Sequence, residues 1–191
     1  MTRLNQSLVA AALMLTTSTA MAHTGHGEGG FTSGLLHPML GLDHLLAMAA
    51  IGFWSVRQNT LMKNATPAFV LGGMVLGAGL AWGGLALPGV ETGIGVSVLV
   101  AGILIASFAR MSTSVGGTLV VAFMLFHGYA HGVEIPGSAT VAAYLAGFAT
   151  TTLAISLAGR ALGALMLKAD NRLSQGLGGS VAAAGALLTA A

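Results

Sequence analysis

Four histidines and an aspartate sit inside segments that are otherwise apolar. His37, Asp43 and His44 fall within eight residues, in the stretch Ser33 to Trp54, and His127 and His131 stand four apart much later. An ionisable side chain in hydrocarbon costs about 3 kcal/mol or more, so such residues face a cavity, a partner or a ligand. Imidazole and carboxylate are both metal-ligand types. Histidines four apart share a helix face, roughly 6 Å from each other, and can chelate one ion. His37 and His44, seven apart, share nearly one face of a straight helix and lie ~10 Å apart along its axis. Asp43 can ligate directly or accept the second ring N–H of a ligating histidine, fixing its tautomer. Without thiolate, such a set suits borderline divalent ions such as nickel, cobalt or zinc, whereas magnesium and calcium prefer oxygen cages. The chain has no cysteine, so no disulfide, thiolate site or thiol nucleophile exists.

These residues must be held by a membrane body. Of 191 residues, 55% are hydrophobic and 6% charged, with a mean hydropathy of +0.86. Soluble domains carry roughly 25% charged residues, and this chain could not cover a water-facing surface. The reading is an all-α integral membrane protein embedded in a lipid bilayer. A scattered net charge of +2 excludes a nucleic-acid footprint. No phosphate-binding loop is present, so any transport is not powered by ATP within this chain. The glycine pairs Gly73/Gly77, Gly79/Gly83 and Gly159/Gly163 suit close helix packing in a bundle or a homo-oligomer.

Residues 1–22 read as a cleaved signal peptide, with Arg3, an apolar core from Leu8 to Leu15, and Ala20-Met21-Ala22 as the cleavage site. Residues 23–32 form a polar tail in which His23, His26 and Glu28 can gather a metal ion. The remainder, 33–191, is a six-helix transmembrane domain, with segments over 33–55, 67–87, 91–110, 113–133, 138–159 and 174–191. Each approaches the ~20 residues that cross ~30 Å of hydrocarbon. Pro67, Pro88 and Pro136 are expected at segment edges. With the mature N-terminus outside, the inner loops hold Arg57, Lys63, Arg110, Arg160, Lys168 and Arg172, and the outer ones only Glu28, Glu91 and Glu134. That asymmetry is a positive-inside pattern, with both termini outside.

In this orientation the first helix runs inward and the fourth outward. His37 and His131 then lie near the outer surface and His44 and His127 deeper, as a two-level ladder toward the midplane. A structural site needs one level only; a ladder favours a pathway. The His-bearing first and fourth helices hold corresponding positions in two antiparallel triplets, as in a 3+3 inverted repeat with substrate between the halves. Glu134 is expected at the mouth. Met39 and Met48 flank the site as candidate soft ligands, Trp54 and Tyr144 read as packing or interface aromatics, and Asp170 as part of a solvated turn. A haem held by His44 and His127, or a metal-binding membrane subunit or sensor without transport, is the alternative. A membrane metalloprotease would need H-E-x-x-H, which is absent.

His37-Pro38-x-x-Gly41-x-Asp43-His44, followed by Met48 and Gly52, resembles the first-helix motif of the HupE/UreJ family. Phe126-His127-Gly128-x-Ala130-His131-Gly132-x-Glu134-x-Pro136 resembles its second motif, and the similarity spans the mature chain. The resemblance implies a nickel or cobalt permease of the bacterial inner membrane, associated with hydrogenase or urease maturation. It carries over His37, Asp43, His44, His127, His131 and Glu134 as functional residues. Tyr144-x-x-Gly147-Phe148 through Thr152 also looks like the family, but Ser156 stands where a Leu-His pair is expected. The expectation is therefore a carrier and not an enzyme, with no fixed cofactor and with Ni2+ or Co2+ as cargo. Because ligation needs neutral imidazole, uptake is expected to fall as pH drops through roughly 6.5.

Overall fold

The computed structural model describes residues 30–135 and 140–190, which form helices and short connections with no strand among them. The helices are α1 (Gly30–Leu40), α2 (Leu42–Ser55), α3 (Thr60–Trp82), α4 (Val90–Ala106), α5 (Thr113–Val133), α6 (Val141–Met166) and α7 (Asn171–Ala190). The signal peptide, the tail bearing His23, His26 and Glu28, and Pro136 lie outside the described residues.

The stretch expected to be one helix over 33–55 is two. α1 and α2 meet at Gly41 with a bend of 80°. Gly41 is extended, at φ −86° and ψ 110°, and Pro38 has no N–H to give the Gly34 carbonyl. A Cβ on Gly41 would also lie only 3.0 Å from Asp43 Oδ1 and 3.1 Å from His44 Nδ1. The break therefore lets Asp43 and His44 open a new helix inside the span.

Pro67 corrects a second expectation. It lies inside α3, not at a segment edge. Its missing N–H leaves the Lys63 carbonyl without a helical donor, and Arg160 supplies one at 3.2 Å while also reaching Asn64 Oδ1 at 3.4 Å. Arg160 itself belongs to α6 and not to a loop. The helix starts are conventional: Asn59 and Ser112 accept from the amides of Met62 and Val115 at 2.9 and 3.3 Å.

Four glycine-lined crossings hold the body together, the first where Gly34 of α1 and Gly147 of α6 meet the carbonyls of Tyr144 and Phe31. Gly52 of α2 and Gly159 of α6 press against each other's helix backbones, at the carbonyls of Ser156 and Ala49. Gly77 of α3 and Gly128 of α5 do the same at Leu125 and Met74, and Gly102 of α4 and Gly185 of α7 at Ala182 and Leu99. A Cβ at any of these positions would collide with main chain, so the axes approach more closely than other residues permit. The Gly79/Gly83 pair makes no such crossing, since Gly79 faces open space.

Among the described residues three helices, α3, α5 and α6, are long and apolar enough to cross a bilayer, and a fourth span results if the bent α1–α2 pair counts as one. α4 has 17 residues, about 26 Å at helical rise. α7 opens on Asn171, Arg172, Ser174 and Gln175, which lower its apolar character. The α2–α3, α4–α5 and α6–α7 connections gather at one end of the bundle. There Arg57 Nη2 donates to Asn171 Oδ1 at 3.1 Å and the guanidinium lies 4.2 Å from the Phe108 ring centroid. Trp54 Nε1 and Gln58 Nε2 both donate to the Ala109 carbonyl at 2.9 Å. Every Lys and Arg among the described residues belongs to this end. His37, Trp82 and Glu134 mark the other, where Trp82 Nε1 donates to the Gly132 carbonyl at 3.1 Å.

Candidate metal site

Asp43 sits in the first turn of α2, where unpaired amides and the helix dipole favour a carboxylate. Its Oδ1 accepts from the His44 backbone N–H at 2.7 Å and lies 2.8 Å from His44 Nδ1. With Nδ1–H given to the carboxylate, His44 Nε2 carries the lone pair. That atom is buried and has no partner among the described residues.

α5 brings the second pair. His127 is fully buried, its Nε2 2.8 Å from Ser97 Oγ on α4 and its Nδ1 without a partner. His131, one turn on, is 3% exposed, and neither ring nitrogen has a partner. Its ring centroid lies 4.3 Å from that of His44 and 4.7 Å from that of His37, with Phe148 on a further side at 4.2 Å. His44 in turn meets His127 at 4.6 Å, the rings nearly perpendicular at 89°.

Both rungs of the expected ladder meet, His37 with His131 and His44 with His127, and the added contact of His131 with His44 staggers them into a row, His37–His131–His44–His127. The bend at Gly41 is the reason: it removes the straight helix on which His37 and His44 would be stacked, and His131 lies against both. At the open end His37 Nε2 is 2.8 Å from Glu134 Oε2. One ligand atom from each of His37, His131 and Glu134 lies within 4.8 Å of the others. The hydrogen bond from His37, opposed by partial burial, holds the Glu134 carboxyl below its usual range, so it stays anionic at the mouth.

Four imidazole nitrogens in this cluster are buried and have no partner among the described residues: His44 Nε2, His127 Nδ1 and both nitrogens of His131. Each buried polar atom left unpaired costs about 1–3 kcal/mol. A cation between the rings would satisfy lone pairs that the protein leaves free. Toward the basic end the interior closes over Met48, Ile51, Trp54, Val120 and Met124, none more than 3% exposed. Toward the other end the His37 and Glu134 side chains are 34% and 54% exposed.

The other residues singled out in the sequence lie apart from the row or beside it. Met39 is exposed, and Met48 lies one turn past His44 on the closed side. Tyr144 is buried, its ring 6.1 Å from that of His37. Ser156 lies against Gly52, about two turns past His44. Ser97 was not legible as a site residue. Its only signal is a hydroxyl in the middle of an aliphatic helix, and nothing in the spacing pairs it with a histidine 30 positions later.

A family model described as HupE / UreJ protein matches residues 11–188. The protein named Protein HupE from Rhizobium leguminosarum bv. viciae is 41% identical over 179 residues, covering 90% of each chain. No solved structure gives a significant match.

Proposed function

The chain belongs to the HupE/UreJ family, which is associated with nickel and cobalt uptake, and from that premise we propose that it is an inner-membrane permease for a divalent transition-metal ion. Nickel is the first candidate and cobalt the next. The carrying observation is the group of four unpartnered, buried imidazole nitrogens on His44, His127 and His131. Neutral nitrogen donors with one carboxylate nearby suit these ions better than magnesium or calcium.

The ion enters from the periplasm, attracted by Glu134 and by the His23/His26 tail. His37, Glu134 and His131 form the receiving site. His131 then shares the ion with His44 and His127, because its ring touches both His37 and His44 and has nitrogens free for either. Asp43 orients His44 and balances charge. Release to the cytoplasm requires the plug of Met48, Ile51, Trp54, Val120 and Met124 to part. The gathering of Lys and Arg at the plugged end supports a cytoplasmic location for that end and periplasmic termini.

Six crossings follow if the α1–α2 pair counts as one and α4 and α7 cross as a packed pair. The helix pairings support an inverted repeat. Exchanging α1–α2 with α5, α3 with α6 and α4 with α7 turns the α2/α6 crossing into the α5/α3 crossing and maps α4/α7 onto itself. The haem alternative is disfavoured, since perpendicular His44 and His127 rings at 4.6 Å leave no slot for a porphyrin.

The test is Ni2+ uptake into vesicles by the wild type, His44→Ala and His127→Ala. Loss in both mutants is expected; undiminished uptake in both would sink the pathway. Competition among Ni, Co, Zn and Mn in the same assay identifies the ion.

A further inference from the structure

His127 is as deeply buried as any residue in the row, yet no carboxylate among the described residues touches it. Its one polar partner among the described residues is Ser97 Oγ, at 2.8 Å from Nε2. Ser97 is itself fully buried and lies 2.7 Å from the Ile94 carbonyl. A carbonyl oxygen only accepts, and two oxygens at that distance with no proton between them would repel. The single hydroxyl proton is therefore committed to Ile94. The Oγ lone pairs face His127, so the imidazole must be the donor, as Nε2–H.

We propose that Ser97 is a positioning residue that sets the tautomer of His127, leaving Nδ1 as its ligating atom, while Asp43 sets His44 in the opposite tautomer with Nε2 free. The two nitrogens left without partners, His127 Nδ1 and His44 Nε2, are the ones this scheme requires. The site thereby presents one ligand atom close to its backbone and one far from it. Two perpendicular rings 4.6 Å apart can then address a single ion without their N–H groups facing it. A hydroxyl does this without adding charge, so the deep half of the row holds one carboxylate, Asp43, and not two. This inference rests on the metal path for its purpose, but its structural content does not.

The experiment uses the full chain in lipid nanodiscs, free of metal and with 15N-labelled histidine, His127 being assigned by comparison with His127→Gln. The expected spectrum shows Nε2 of His127 protonated and Nδ1 bare, with that preference lost in Ser97→Ala. Equilibrium dialysis with Ni2+ is then expected to show binding about 10–100-fold weaker in Ser97→Ala, with Ser97→Thr within about threefold of the wild type because the hydroxyl remains. A protonated Nδ1 in the wild type overturns the proposal, and so does a Ser97→Ala protein that binds Ni2+ as tightly as the wild type. A wild type that shows the expected tautomer but binds no Ni2+ leaves the role of Ser97 standing and removes the metal path.

Discussion

His37 and Glu134, 97 residues apart, meet at 2.8 Å at the open end of the histidine row. The contact joins the end of α1 to the end of α5, and its acid is held below the usual carboxylate range by the histidine N–H. A group with a depressed folded value stabilises the protein above its unfolded value, and the contribution disappears as pH falls through the folded one. The stability difference between wild type and Glu134→Gln should therefore be constant from neutral pH to about 5, begin to shrink near 4.5 and disappear only as pH falls through the lower folded value. Thermal unfolding in detergent between pH 7 and pH 3 measures it. Because Glu134 is half exposed, the difference should be small and should shrink with added salt.

His131 is the one histidine that touches both His37 and His44. Replacing it should damage both halves of the row, whereas His37→Ala leaves the deep pair intact. Ni2+ affinity by titration calorimetry is expected to fall by more than about 100-fold in His131→Ala and by about tenfold in His37→Ala. Equal losses would deny His131 its central place.

Gly52 faces the Ser156 carbonyl with no room for a methyl group. Gly52→Ala should force α2 away from α6 and cost about 1–3 kcal/mol, the range of overpacked interiors. Gly72 and Gly79 face open space, so alanine there should leave stability unchanged or raise it by up to about 1 kcal/mol. Denaturant unfolding of the three variants separates a crossing glycine from a merely abundant one.

Arg160 serves the carbonyl that Pro67 strands. Arg160→Leu should cost about 1 kcal/mol, since the carbonyl it leaves unpaired is only partly buried. With Pro67→Ala, residue 67 regains an N–H that can bond Lys63 within the helix, and the same arginine change should cost less. A double-mutant cycle gives the coupling. Purely additive losses would show that the two residues act separately.

Much of this protein follows from composition and residue order alone. A chain with 6% charge must hide in lipid, and lipid demands internally bonded backbone, hence helices. Ionisable residues too costly to bury without purpose mark themselves, so His37, Asp43, His44, His127 and His131 could be singled out without coordinates. Tertiary structure decided how they meet. Hydropathy sums over a window and does not register a kink, so the 80° break at Gly41 leaves no mark in it, and the diagonal contact of His131 with His44 is invisible without that break. Nothing near Pro67 marks it as a helix-interior proline, because its compensating donor, Arg160, is 93 positions away in the chain. Ser97 was invisible for the same reason. A serine in an aliphatic helix acquires meaning only when another helix brings an imidazole to its oxygen, and that pairing is set by how glycine-lined surfaces dock, which no local pattern encodes.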